Sequence, residues 1–190
     1  RVPESRARRR SLDLRERGMV LKSFADLPAE WKDIDVLINN AGLALGLASA
    51  QNALVSDWDA MVDTNIKGLL YCCHAVLPTM VRRNRGHIIN LGSVAGSIPY
   101  PGGNVYGATK AFVHQLSLNL RADLLGTAVR VTCIEPGLCS DTEFSDVRFK
   151  GDRQKAASVY EGVKALTSQD LVETVDWILH RPAHVNINVI

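Results

Sequence analysis

Short runs of consecutive apolar residues alternate along this chain with longer stretches in which apolar side chains return every third or fourth position. The first pattern suits a strand buried on both faces, the second an amphipathic helix. Ile34-Asp35-Val36-Leu37-Ile38 ends at Asn39 and Asn40, predicting a short buried strand that opens into a loop. From Asp57 onward, Trp58, Met61, Val62, Ile66, Leu69, Leu70, Cys73, Val76 and Leu77 recur at helical spacing and predict one long helix over 57–83. Gly86 opens a second strand, His87-Ile88-Ile89-Asn90-Leu91, and a loop follows over 93–103. A second long helix is predicted over 104–125, with Ala108, Phe112, Leu116, Leu120 and Leu124 along one stripe. A third strand, 128–134, stops at Pro136-Gly137. Residues 138–165 lack a clear period and suit a substrate-covering loop with short helices. Thr167 or Ser168 can cap a last helix running to about 180, and 185–190 is expected to begin another strand.

Strand–helix alternation with apolar strands implies an α/β fold, a parallel sheet covered on both faces. In such sheets ligands bind beyond the carboxyl ends of the strands. The polar residues that interrupt the pattern fall there: Asn39 and Asn40 after one strand, Ser93 after the next, Pro136 and Gly137 after the third.

Composition narrows the class. A chain of 190 residues, 46% hydrophobic and 22% charged, is expected to form a single soluble domain with one substantial core. No apolar run approaches the roughly 20 residues that span a bilayer, and the arginine-rich start has no apolar stretch behind it, so a membrane span and a secretory signal are not expected. The cytoplasm is the expected compartment. Net charge is +2, with acids and bases interleaved, which argues against a nucleic-acid surface. Arg6, Arg8, Arg9 and Arg10 form one basic cluster, expected to be a solvated tail. Cys72, Cys73, Cys133 and Cys139 include no CxxC pair and no histidine at metal-ligand spacing, so they are expected to be reduced thiols packed in the core, with no metal site.

Tyr106 and Lys110 stand four apart near the start of the second long helix, so their side chains share a face. Alone, such a pair is more often an exposed surface couple. Here Ser93, at the end of a buried strand, supplies a third polar group across a loop containing Gly96, Gly102 and Gly103.

These residues sit within five segments: Asn39-Asn40-Ala41-Gly42, Thr64-Asn65-Ile66-Lys67-Gly68, Gly92-Ser93-Val94-Ala95-Gly96, Tyr106-Gly107-Ala108-Thr109-Lys110 and Pro136-Gly137. In their order and separations they resemble the successive motifs of the short-chain dehydrogenase/reductase family, over roughly 12–190. Leu27-Pro28-Ala29-Glu30-Trp31, the continuation Leu43-Ala44-Leu45-Gly46, and Thr142-Glu143-Phe144-Ser145 with Val147-Arg148-Phe149-Lys150-Gly151 are similar to the branch acting on 3-hydroxy acids and on serine or allo-threonine with NADP.

The resemblance implies hydride transfer between a secondary alcohol or carbonyl and NADP, with NAD also possible. Tyr106 would be the base, since a phenol with an ordinary pKa of about 10 needs a nearby cation such as Lys110 to act at neutral pH. Ser93 would donate to the substrate oxygen. Asn65 would mark a helix distortion serving a proton relay to Lys110. Cofactor contacts would come from Asp13 and Leu14 at adenine, Asn40 and Ala41 at the ribose, Tyr106 and Lys110, and Pro136, Gly137, Leu138, Cys139 and Thr142 around the carboxamide. Ser93 and Tyr106 would hold the substrate, with Arg148 reaching its carboxylate. Relatives associate through the two long helices, so a homo-oligomer is expected.

The family also opens with a strand, a glycine-rich turn and a helix N-terminus that cradles pyrophosphate. The first glycine here is Gly18, and residues 1–10 resemble no part of that unit. The expected fold is therefore an incomplete Rossmann-like doubly wound parallel sheet without the first two strands and the glycine-rich turn: a basic tail over 1–10 and a partial dehydrogenase domain over 11–190, with strand 34–38 as a bare edge. Three functional readings remain open: a dehydrogenase, a catalytically inactive member keeping only the association and active-site scaffold, and a basic-tailed binding protein.

Overall fold

A computed structural model describes residues 7–190. Three parallel strands, β1 (Val36–Asn39), β2 (Gly86–Leu91) and β3 (Val129–Ile134), form a sheet in the order β1-β2-β3. The register pairs Leu37 with Ile88 and Asn39 with Asn90, then Ile88 with Val131 and Asn90 with Cys133. Because strand side chains alternate, these residues share one face, while Val36, Ile38, His87, Ile89, Thr132 and Ile134 share the other.

The first face carries the main core. Helices α3 (Leu69–Arg82) and α4 (Asn104–Asp123) lay Leu69, Cys73, Val76, Met80 and Val113 against Ile88, Val129, Val131 and Cys133. The opposite face packs Ile89 and Ile134 on Ile178 of helix α7 (Ser168–Leu179). Helices on both faces make the sheet doubly wound, as the alternation implied. At the edge, Val36 and Ile38 are exposed on the α7 face.

Cysteines 72, 73 and 133 are buried free thiols, and burial pushes their pKa values up to about 11, 12 and 11. Cys139 is half-buried. No helix among the described residues is long and apolar enough to cross a membrane. Arg6 lies outside the described residues, but Arg8 stacks 5.6 Å from the Trp31 ring and Arg10 donates to the Ser23 carbonyl of helix α1 (Arg17–Ala25), so these two are docked on the protein surface.

Two predicted elements differ. The helix expected over 57–83 is α2 (Val55–Val62), a π-helical turn Asp63–Gly68, and then α3. Apolar spacing does not reveal such a turn, because the residues on either side keep helical spacing within their own segments. Residues 185–190 form no regular strand. They run beside β3 through a single parallel bridge, Cys133 to Val189, with the Cys133 amide donating to the Asn188 carbonyl at 2.9 Å. Asn186 takes over part of the ladder with its side chain, donating to the Val131 carbonyl and accepting from the Val131 amide.

Between β3 and α7, the segment following Pro136 folds into two short helices, α5 (Phe144–Arg148) and α6 (Arg153–Ser158). Its base is pinned where Leu166 donates to the Leu138 carbonyl and Ser140 donates to the Leu166 carbonyl. Thr167 and Asp170 form a capping box that starts α7 where sequence placed it.

Candidate active site

The site begins where β2 ends. Ser93 leaves the strand with extended backbone, accepts from the Ala95 amide at 3.1 Å and donates to the Pro136 carbonyl at 3.5 Å. It thereby ties the end of β2 to the segment after β3. Gly92 must be small here, since a Cβ would lie 2.9 Å from the Cys133 sulfur and 3.0 Å from Glu135 Cγ.

Helix α4 brings Tyr106 and Lys110 to the same place, both buried. The phenol ring packs with Ala44, Met61, Val105 and, at 5.7 Å between centroids, Phe144 of α5. This apolar wall raises the Tyr106 pKa above its ordinary value, and Ser93 and Arg148 pull the other way. The Lys110 ammonium donates to the Leu91 carbonyl at 2.7 Å and lies 5.9 Å from the Tyr106 centroid, while burial is the largest influence on the phenol. Burial also pushes the Lys110 pKa down to about 8.

Asn65 is almost fully buried and sits within the π-helical turn. Its Oδ1 accepts from the Leu43 amide at 2.8 Å, while Nδ2 donates to the Leu43 carbonyl at 2.8 Å and to Thr109 Oγ1 at 3.0 Å. The side chain therefore clamps the loop after β1 to α4. The expected distortion at Asn65 is present, and it is a cross-brace between three elements. Gly42 completes the join: a Cβ there would stand 3.3 Å from Asn65 Oδ1 and 3.5 Å from the Lys110 nitrogen. Glycine leaves that space beside the ammonium open.

Arg148 is buried although it comes from α5, in a polar segment. Its Nε donates to the Gly46 carbonyl at 3.1 Å and one terminal nitrogen to the Tyr100 hydroxyl at 3.0 Å. The guanidinium carbon lies 5.7 Å from the centroid of Tyr106. Among the described residues no carboxylate pairs with it, which is unusual for a buried guanidinium. Among them, too, no group of histidine, cysteine and acidic residues could hold a metal ion.

The remaining sequence-selected residues lie around this centre without joining it. Asn40 and Ala41 are exposed after β1. Asp13 is locked into a bidentate pair with Arg15, whose guanidinium holds the Asp13 carboxyl near pKa 2. Leu14 packs on Gly68, where a Cβ would come within 2.8 Å of it. Pro136 receives Ser93 through its carbonyl, and Gly137 has open space around it. Leu138 and Cys139 form the base of the covering segment, and the Thr142 hydroxyl accepts from the Phe144 amide. Sequence reasoning missed Thr109 and Tyr100. Thr109 adjoins Lys110 on a buried helix turn, and Tyr100 is an aromatic residue inside a proline- and glycine-rich loop; both signals were visible.

A serine, a tyrosine and a lysine meeting at the carboxyl rim of a doubly wound sheet coincide with a match of residues 2–153 to the short chain dehydrogenase family model. The chain belongs to the short-chain dehydrogenase family. NADP-dependent 3-hydroxy acid dehydrogenase YdfG of Salmonella typhi is 65% identical over 179 residues, covering 94% of this chain and 72% of the relative. Serine 3-dehydrogenase of Rhizobium radiobacter is 50% identical over 178 residues, covering 94% of this chain and 71% of that one. The closed form of a serine dehydrogenase complexed with NADP+ superposes with a TM-score of 0.92 at 63% identity, covering 94% of this chain and 72% of its own. This short-chain dehydrogenase is thus an oxidoreductase, and the reading of a catalytically silent scaffold finds no support among relatives that are dehydrogenases.

Proposed function

We propose that this enzyme interconverts a small 3-hydroxy acid, or a serine-like hydroxy acid, and its carbonyl form with NADP. Within residues 11–190, Ser93, Tyr106 and Lys110 are the reacting group and Arg148 is the substrate anchor. The observation that carries the substrate class is the buried, carboxylate-free Arg148 guanidinium stacked over Tyr106, because a planar fork of donors suits a carboxylate.

The nicotinamide half of a cofactor fits the residues present. Lys110 is a buried ammonium with a single backbone acceptor, the space beside it is kept open by Gly42, and Asn40, Ala41 and Gly137 are accessible on the same rim. Asn40, Ala41, Lys110 and residues 136–142 would hold it, with Asp13 and Leu14 toward the adenine. When bound, NADP supplies the hydride acceptor or donor.

The chain's own residues handle the proton and the orientation. Buried Tyr106 keeps its proton at neutral pH, which suits donation to the carbonyl oxygen during reduction. In the oxidative direction the phenol must lose that proton first, and the Arg148 charge favours the phenolate. Ser93 donates to the same substrate oxygen and fixes the reacting carbon. Asn65 braces the loop after β1 against α4 and so holds Lys110 in register with both. We further propose self-association through the outer face of α3, where Leu70 and Val81, three helical turns apart, are both exposed.

Substitution of Tyr106 by Phe in the full-length enzyme tests the assignment. Turnover of a 3-hydroxy acid should fall at least a hundredfold, as expected for a lost general acid–base, while NADP affinity stays within about twofold. Turnover near the original rate removes Tyr106 from the chemistry.

A further inference from the structure

Arg148 does not reach its position unaided. The segment Pro99-Tyr100-Pro101 lies between Ser93 and Tyr106 in the chain, and its tyrosine ring lies against Arg148 with 5.5 Å between guanidinium carbon and centroid. With Tyr106 on the other contact at 5.7 Å, the guanidinium touches two aromatic rings, a favourable arrangement for a desolvated cation. The Tyr100 hydroxyl accepts one Arg148 N–H at 3.0 Å, and the Gly46 carbonyl accepts Nε at 3.1 Å. Two edges of the fork are thereby fixed, and the remaining terminal nitrogen has no acceptor among the described residues.

Tyr100 is itself held firmly. The Gly103 amide donates to its carbonyl at 3.0 Å, and the ring fills the space a side chain at Gly103 would need, since a Cβ there would stand 2.7 Å from Cε1 and Cζ. Prolines on both sides limit the backbone. Tyr100 is thus a fixed wall for Arg148, the last residue of the short helix α5.

We infer that Tyr100 is a positioning residue for substrate specificity: its hydroxyl and ring orient the Arg148 guanidinium so that the free edge of the fork receives the carboxylate of a hydroxy acid. This rests on the reading of Arg148 as the carboxylate anchor. The hydroxyl defines one edge of the fork, so its loss lets the guanidinium rotate on the rings and weakens carboxylate binding without altering the proton transfer at Tyr106.

The test is Tyr100→Phe in the full-length enzyme with NADP, assayed on 3-hydroxypropanoate, with propanoate as a competitive inhibitor that carries the carboxylate but no hydroxyl. The ring is kept, so the loop retains its packing, and circular dichroism checks the fold. The expected result is a rise of about tenfold in both KM and the propanoate inhibition constant, with kcat changed by less than about twofold. A fall in kcat with KM and the inhibition constant unchanged overturns the inference, because Tyr100 then acts on the reacting hydroxyl. Arg148→Met separates the two levels. If it raises KM while Tyr100→Phe does nothing, the positioning role fails and the anchor stands. If Arg148→Met leaves KM and propanoate inhibition unchanged, the anchor fails and the inference with it.

Discussion

Replacing Asn65 by Ala should destabilise this enzyme far more than its single-residue size suggests. The side chain makes three hydrogen bonds, at 2.8, 2.8 and 3.0 Å, to the Leu43 amide, the Leu43 carbonyl and Thr109. Each is worth about 1 kcal/mol net, and the Leu43 groups lie close enough to the surface for water to recover part of the loss. The helix offers little in return, because the π-helical turn already departs from regular helical bonding around this residue. Better helix propensity of alanine offsets about 0.5 kcal/mol. A loss of about 2 kcal/mol follows, a large share of the 5–15 kcal/mol typical of a folded domain. Urea unfolding followed by circular dichroism measures it, with the m-value checking that the transition keeps its character. Thr109→Val, which removes one of the three partners, should cost about 1 kcal/mol, and the double variant should lose less than the sum. Hydrogen exchange at the Leu43 amide should accelerate in Asn65→Ala. A measured loss below about 0.5 kcal/mol would show that the cross-brace carries no energy and that the loop after β1 is held by packing alone, and strict additivity with Thr109→Val would show that the Asn65–Thr109 bond carries none.

His87 should make the fold acid-sensitive. Its Nε2 meets the Thr132 hydroxyl, Nδ1 is buried without a partner among the described residues, and burial with the nearby Arg130 charge lowers its pKa to about 4. Below the ordinary value the unfolded chain binds a proton that the folded chain refuses, so stability is complete above pH 6.5 and is lost as pH falls toward 4. Unfolding free energies between pH 6.5 and 5 should drop by up to about 1.4 kcal/mol per unit, and His87→Leu should flatten that slope; an equal slope in the variant argues against the assignment. For self-association, Leu70→Glu should shift the mass seen by sedimentation toward the monomer; an unchanged oligomer moves the interface elsewhere, and a wild-type monomer refutes the association.

Much of the fold was legible because its signals are local. A strand buried on both faces shows as an apolar run, and Ile34 to Ile38, His87 to Leu91 and the 128–134 segment each became a parallel strand shortened or shifted by one or two residues. The second long helix was likewise visible from its stripe and ends at Asp123. Tyr106 and Lys110 were legible as a pair since helical spacing alone puts them on one face. Polar residues inside apolar segments were also readable as exceptions, but their partners were not. Asn39 donates to Asn90, and Asn90 to Ser117, across three elements, and nothing in the local pattern links those positions.

What the sequence by itself determined is the list of elements and the identity of the reacting groups, because periodicity and residue chemistry act within a few positions of the chain. Tertiary structure alone decided that two charges face Tyr106. Lys110, four residues away, stands 5.9 Å from the ring centroid while donating to the Leu91 carbonyl, and Arg148 arrives from α5 at 5.7 Å, held by its bond to Gly46, 102 residues distant in sequence. Electrostatic influence follows distance and burial in the folded chain, and neither is a property of sequence spacing.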